Sequence, residues 1–363
     1  MTDTGQELLD RLRLIRSANI GPITYFQLIR RFGTPRAALE AIPELAVRGG
    51  GKAPRIAELA DIAREVAAVE KLGARYLFLS QGLYPSLLAE MDTAPPALIV
   101  RGNLALLERP SVAIVGARNA SAAAIRFARE LARGLTDEGV VVVSGLARGI
   151  DTAAHRGSID GGTIGVIASG IDIAYPPENA ALQEDIANKG LLLAEQPPGH
   201  EPLARHFPSR NRIIAGMTLG TVIVEAAPKS GSLITARFAN EAGREVMAVP
   251  GSPLDPRAQG CNQLIREGAT LVQSVADVLE MVRPFSGGAL RAAGHDFQPE
   301  NTAADASESD RGTVLGLLSY SPVLVDEIIR QTDLPAAIVQ TVLLELELGG
   351  RLERQAGGRV SLA

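Results

Sequence analysis

The sequence is short of most residues that would announce a familiar chemistry. It holds one cysteine, Cys261, in 363 residues. That excludes an internal disulfide framework and a cysteine-based zinc cluster, and it suits a reducing compartment. Tryptophan is absent and aromatic residues make up 4%, so a surface built from successive stacked rings is limited. No apolar run approaches the ~18 residues that a membrane helix needs. The first residues, MTDTGQELLD, show no basic segment followed by an apolar one, so no secretory leader is expected and the cytoplasm is the expected location. A positive excess is missing too: 36 basic against 41 acidic residues leave a net charge of -5. A phosphate-bearing partner would have to be held by a local patch and by backbone N–H groups, because no global basic field exists to attract it.

What is present describes a folded, soluble chain: 46% hydrophobic and 21% charged residues. The length exceeds one ordinary core, and at roughly 150 residues per domain two or three units are expected. The composition divides the chain in that way. Residues 1–74 read as helical, with apolar residues at three and four spacing in LLDRLRLIRS, ITYFQLIRRF, PRAALEAI and PRIAELADIAREVAAVEKLG. Gly21-Pro22, Gly33-Thr34-Pro35 and Gly49-Gly50-Gly51 mark the joints.

Over 75–285 the texture changes to short β-branched runs alternating with helical stretches. SVAIV (111–115), VVVVS (140–144), TIGVIA (163–168), LLLAE (191–195), TVIVE (221–225) and EVMAVP (245–250) are the expected strands. Continuous apolar strands with helical crossovers predict an α/β fold with a parallel sheet covered on both faces. YLFL and ALIV, between Arg75 and Arg101, are expected to add edge strands. Residues 286–310 are rich in Gly, Ala, Asp and Ser without a period, and read as a linker. Residues 311–363 then show three short helical patterns and a hairpin turning at Gly357-Gly358, which predicts a winged helix.

Three turns carry candidate chemistry. In AIVGARNAS, Gly116 follows a strand directly and Ser121 is placed to cap the next helix. A glycine there lets N–H groups approach an anion, and Arg118 adds a guanidinium fork, although a merely solvated arginine fits the same letters. Ala117 and Asn119 break the GxGxxG pattern, which removes most support for nicotinamide dinucleotide binding. In VVVSGLARGIDTAAH, Ser144-Gly145 again follows a strand, and Asp151 and His155 share a helical face. An Asp–His pair locking the loop is favoured over a base and its orienter, because no serine, cysteine or lysine nucleophile stands beside it. The third segment, His206 to Thr235, carries Phe207, then Arg210, Asn211 and Arg212 before a helical run, then Lys229-Ser230-Gly231-Ser232 after the strand ending in Glu225. A strand, a Gly/Ser turn and a helix form a phosphate cradle in mechanism, but GxxxxGK[ST] is absent, so ATP hydrolysis is not expected. Between 205 and 244 six basic residues face two acidic ones, a net +4 that supplies the local patch. All three turns belong at the carboxyl ends of parallel strands, where open α/β sheets bind ligands. They imply a phosphate-bearing ligand without deciding between a nucleotide and a polymer.

IVGAR, SGLARGIDTAAH, FPSRNRIIAG, VIVEAAPKSGSLITA, and AVPG followed by GCNQLI and EGA resemble the DNA-processing protein A (DprA/Smf) family, in order and spacing over about 80 to 275. The resemblance implies an extended Rossmann-like domain that binds incoming single-stranded DNA, protects it and loads the recombinase RecA onto it during natural transformation. It implies no catalysis, no cofactor and no metal, and a homodimer formed through that domain. Carried over by motif, Gly116, Arg118, Ser144, Gly145, Phe207, Arg210, Asn211, Arg212, Lys229, Ser230, Gly231 and Ser232 would line the DNA groove. Arg118 and Arg210 would neutralise phosphates, while Phe207 would either stack on a base or anchor the chain before Pro208.

Two departures stand out. The first turn reads Gly-Ala-Arg where the family is associated with Ser or Thr in the middle, which removes a hydroxyl contact. The winged helix is not basic: 311–363 holds five basic and six acidic residues, and its would-be recognition helix carries Glu345 and Glu347 but no Lys or Arg. That points to a protein contact or a vestigial role over duplex reading. At the other end, NIGPITYFQLIRRFGT resembles a helix-hairpin-helix or sterile-alpha-motif element, with packing favoured over phosphate binding for its hairpin.

Two other readings use the same scaffold. A nucleotide phosphoribohydrolase of the lonely-guy type would need Gly-Gly-x-Gly-Thr followed by Glu, whereas the turn here is Lys-Ser-Gly-Ser-Leu-Ile-Thr. A nucleotide-sensing winged-helix regulator would need a recognition helix suited to DNA, which the acidic helix is not.

Overall fold

The computed structural model describes residues 5–79, 81–286, 305–355 and 357–363. The chain divides into two compact units, Met1–Arg64 with Asp296–Ala363, and Glu65–His295.

The first helices are α1 (Gly5–Arg16), α2 (Pro22–Phe32), α3 (Pro35–Arg48) and α4 (Leu59–Lys71). Pro22 and Pro35 occupy first helical turns, where a missing N–H costs nothing, and Thr34 accepts from Ala37 N at 3.2 Å to cap α3. α2 stops at Gly33, whose φ of 75° suits glycine. The PRAALEAI pattern ends before Pro43, yet α3 continues through that proline to Arg48 because Leu45 and Ala46 are buried beyond it.

The second unit carries nine strands: β1 (Arg75–Phe78), β2 (Ala97–Gly102), β3 (Ser111–Gly116), β4 (Val141–Ser144), β5 (Thr163–Gly170), β6 (Leu191–Gln196), β7 (Gly220–Val224), β8 (Glu245–Ala248) and β9 (Thr270–Leu271). Its helices are α5 (Ser86–Ala89), α6 (Ala122–Asp137), α7 (Ile150–Ser158), α8 (Ala180–Lys189), α9 (His206–Gly216), α10 (Gly231–Glu241), α11 (Gln259–Arg266) and α12 (Val275–Ser286). The strands form one sheet in the order β1-β2-β6-β5-β4-β3-β7-β8-β9. From β6 to β9 every neighbouring pair is parallel, whereas β2 runs antiparallel to both β1 and β6.

Both faces of the sheet are covered, which is why its strands read as unbroken apolar runs. Within β3, Val112 and Ile114 pack with Ala128, Leu131 and Leu135 of α6, while Ala113 and Val115 pack with Ile213 and Ile214 of α9 on the opposite face. The strand order reverses between β3 and β7, the kind of switch point at whose carboxyl edge open α/β sheets bind ligands.

The chain resumes with α13 (Glu308–Leu317), β10 (Val323–Leu324), α14 (Val325–Thr332), α15 (Ala336–Leu348), β11 (Leu352–Gln355) and β12 (Arg359–Leu362). Three helices and a β10-β12-β11 sheet make a winged helix. The segment 286–310 falls mostly outside the described residues; its last residues are helical, because Ser307 and Asp310 cap α13 reciprocally. The amino-terminal helices and the winged helix, expected as separate flanking domains, share a core in which Leu344 and Leu348 of α15 sit among Leu28, Leu39, Ile42 and Leu45.

Candidate nucleic-acid interface

The turns after β3 and β7 face each other across the switch point. Glu225 directly follows β7 with a φ of 51°, and its carboxylate accepts from Ser121 N at 2.8 Å and Ser121 Oγ at 2.6 Å. Ser121 in turn accepts from Ala124 N and caps α6, as its position predicts. Gly116 has a different task from the one expected of it. A Cβ there would lie 1.9 Å from Val224 O, so glycine is required by the close approach of β3 to β7, and the following N–H, of Ala117, donates to that same oxygen. The next three N–H groups, of Arg118, Asn119 and Ala120, have no acceptor among the described residues.

Arg118 is exposed and has no ion pair among the described residues. Its guanidinium lies 5.4 Å from the ring centroid of Phe207, and Phe207 packs tilted against Tyr175 at 5.6 Å. Phe207 is half-buried, whereas Tyr175 is 45% exposed. Arg118 from the turn after β3, Tyr175 from the turn after β5 and Phe207 from the first turn of α9 thus form one amphipathic surface beside the unsatisfied N–H groups. The aromatic faces suit a base and the guanidinium suits a phosphate.

Three expected contact residues lie beneath this surface. Ser144 is fully buried and its hydroxyl donates to Ile114 O at 2.6 Å, so it offers nothing to a ligand. Gly145 is buried, and a Cβ on it would collide with Arg210 Nη1. Arg210 is 6% exposed; it donates to Val166 O at 3.3 Å and lies 4.0 Å from the Asp151 carboxylate. The expectation of a direct phosphate clamp at Arg210 is corrected accordingly, since its guanidinium supports the loop from below. Burial lowers its pKa to about 10, against the pull of Asp151, and repulsion from Arg118 adds to the lowering.

The Asp151–His155 pair is also resolved differently. Asp151 does lock the loop, accepting from Gly145 N at 3.1 Å and Ala147 N at 3.3 Å. Its partner in charge is Arg210, while His155 faces away to Thr163, with Nδ1 to Oγ1 at 2.7 Å. Burial pushes the imidazole of His155 down to about 3, so it is neutral at ordinary pH.

Around the β7 turn, Ser230 accepts from Ser232 N and shares a 2.8 Å hydrogen bond with the Ser232 hydroxyl. Asn211 donates to Gly231 O at 3.3 Å, tying α9 to the start of α10. Lys229 is exposed without an ion pair, and the N–H groups of Lys229 and Gly231 have no acceptor among the described residues. The basic patch is smaller than the local count of charges suggests. Arg210 faces Asp151, Arg212 pairs with Glu195 at 2.5 Å, Arg237 with Glu241, and Arg244 with Glu90 at 2.7 Å. Of the six basic side chains, exposed Arg205 and Lys229 are left without ion pairs among the described residues. With Arg118 they make three exposed cations without an ion pair among the described residues of this region.

Tyr175 is the residue that sequence reasoning passed over; a tyrosine before two prolines in a turn after a strand was its only signal. Among the described residues, no group of three or more His, Cys, Asp or Glu is placed to hold a metal ion, and no helix is long and apolar enough to cross a membrane.

Known proteins match this arrangement along nearly the whole chain. Residues 75–283 match the family described as DNA recombination-mediator protein A, residues 5–68 the DprA-like N-terminal HHH domain, and residues 298–358 the DprA winged helix domain. The DNA processing protein DprA of Streptococcus pneumoniae is 50% identical over 198 residues, covering 54% of this chain and 70% of that protein. Protein Smf of Escherichia coli is 38% identical over 285 residues, covering 77% and 74%. Among solved structures, that of the S. pneumoniae protein superposes with a TM-score of 0.60 at 38% identity, covering 77% of this chain and 93% of the other. A structure of DNA processing protein A from Helicobacter pylori, described for its single-stranded DNA binding mode, gives a TM-score of 0.54 at 28% identity, covering 58% and 96%. With matching modules in the same order and a mostly parallel sheet that presents its turns at the switch point, the chain belongs to the DNA-processing protein A (DprA/Smf) family of recombination mediators.

Proposed function

We propose that this chain binds single-stranded DNA along the carboxyl edge of its sheet, shields it, and hands it to the recombinase RecA in the DNA processing of natural transformation. The observation that carries this reading is Arg118: an exposed guanidinium over the Phe207 ring with no ion pair among the described residues, next to a run of N–H groups that have no acceptor among them. Single-stranded DNA offers the matching chemistry, a phosphate and an unstacked base within one nucleotide. A free phosphate or a small anion would leave the Tyr175–Phe207 pair unused.

Contacts then divide by depth. Arg118, Lys229 and Arg205 neutralise phosphates; the N–H groups of 118–120, 229 and 231 donate to their oxygens; Phe207 and Tyr175 take a base. Ser144, Gly145 and Arg210 set the floor, while Asn211, Arg212, Ser230 and Ser232 hold α9 and α10 in place. Backbone-directed contacts read no sequence, so binding is indifferent to base order and falls steeply with salt. A homodimer through the sheet unit would hold two stretches of one strand and leave bases open to RecA.

Nuclease digestion of labelled oligo-dT tests binding and protection together. The strand survives with the wild type and is degraded with Arg118→Ala. Degradation in both cases contradicts the reading. RecA filament growth on the same strand, with and without the protein, tests the hand-over separately.

A further inference from the structure

A winged helix ordinarily lays its third helix in a DNA groove. In this chain that helix, α15, is covered on two sides. Val339, Val342, Leu343 and Leu346 point into the core of the winged helix itself, whereas Leu344 and Leu348 belong to the core of the amino-terminal helices.

The second contact has the closeness of a domain interior. A Cβ on Gly49 would lie 2.0 Å from Glu345 O, and one on Gly51 would lie 2.0 Å from Gly349 O, so main chain meets main chain. Side chains close the rim: Gln27 donates to Gln340 at 2.8 Å, Arg31 to Thr341 at 3.2 Å, and Arg351 to Gly49 O at 3.3 Å. Asp305, just before α13, pairs with both Arg31 and Arg48.

The charges on α15 fit the same role. Glu345 is fully buried and takes two hydrogen bonds from Arg311, at 2.8 and 3.0 Å, and Glu347 is bound by Arg354 at 2.8 Å. No Lys or Arg lies on α15 to meet a phosphate.

We infer that the winged helix is a clasp for the amino-terminal helical module of the same chain, its reading helix spent as packing surface and lost to duplex recognition. The two modules, separated in sequence by the entire sheet unit, fold and loosen together.

Gly49→Val in the full-length protein tests this. Gly49 has a φ of -71°, which valine tolerates, and the atoms a Cβ would meet within 3 Å are all in the backbone of α15. Hydrogen exchange followed by mass spectrometry is expected to show α2, α3 and α15 all exchanging at least tenfold faster, with the β3–β7 amides unchanged. Leu344→Ala, which removes a contact without adding bulk, gives the same pattern if the valine variant does not fold. Loss of protection in α15 alone, with α2 and α3 unmoved, overturns the inference. A labelled duplex supplies the second arm: wild type and Gly49→Val bind it equally weakly. A tenfold gain on loosening would overturn the inference by making the contact a gate over a working DNA reader.

Discussion

The buried guanidinium of Arg210 lies 4.0 Å from the Asp151 carboxylate and directly under Gly145, where an added Cβ would come within 1.2 Å of Nη1. Three consequences follow for the candidate groove. Gly145 must stay glycine so that the arginine fits, Asp151 holds both the arginine and the N–H groups of Gly145 and Ala147, and the buried pair underlies the surface above without adding a free positive charge to it.

Arg210→Ala is therefore a stability variant. Removing one member of a buried ion pair leaves Asp151 poorly compensated and costs about 3 kcal/mol. Arg118→Ala, on the exposed surface, stays within about 0.5 kcal/mol of wild type. Denaturant titrations of the two check this contrast, and equal stabilities would show that Arg210 is not the support described.

Arg118 and Lys229 act on phosphates and are expected to show in the salt dependence. Each phosphate neutralised on a single strand contributes roughly 0.7 to the slope of log affinity against log salt. The double variant Arg118→Ala/Lys229→Ala is expected to lose about twice that amount. An unchanged slope would mean that neither side chain meets a phosphate.

Glu225 separates the binding reading from the phosphoribohydrolase one. Its carboxylate is committed to Ser121 N and Oγ, so Glu225→Gln is expected to cost about 1 kcal/mol of stability as a weakened helix cap. Base release from nucleoside monophosphates, measured by chromatography, should be absent in both proteins. Release by the wild type that the variant abolishes would restore the enzyme.

His155 predicts a pH dependence of stability. Burial, with the charge of Arg210 adding to it, lowers the imidazole from 6.5 to about 3. The unfolded chain binds this proton before the folded one does, so the contribution is complete above pH 6.5 and is lost as pH falls from there toward 3. The loss approaches about 1.4 kcal/mol per pH unit. His155→Gln flattens that part of the curve between pH 6.5 and 5; parallel curves would contradict the assignment.

The strands were legible in the sequence because burial on both faces leaves a plain mark, as in SVAIV and TVIVE. β9, two residues long, leaves none, and the antiparallel pairing of β2 with β6 cannot be read from ALIV alone. The site was legible as a set of turns but not in depth. Periodicity does not reveal that Gly145 makes a hole for Arg210, so a buried support reads like a phosphate clamp. A local charge count missed the partners of Arg212 and Arg244, because Glu195 and Glu90 lie in other elements. Tyr175 escaped because its neighbour Phe207 is 32 positions away and meets it only once the sheet has formed.

Fluorescence anisotropy of labelled oligo-dT over a salt series, comparing wild type, Arg118→Ala and the Tyr175→Ala/Phe207→Leu pair, tests the central claim most directly. The account predicts that Arg118→Ala weakens binding about tenfold or more and makes the salt slope shallower. The aromatic pair should weaken binding by a similar factor with the slope unchanged, since stacking releases no counterions. Weak wild-type binding that none of these changes alters would contradict the account, and would assign the switch-point surface to some other ligand.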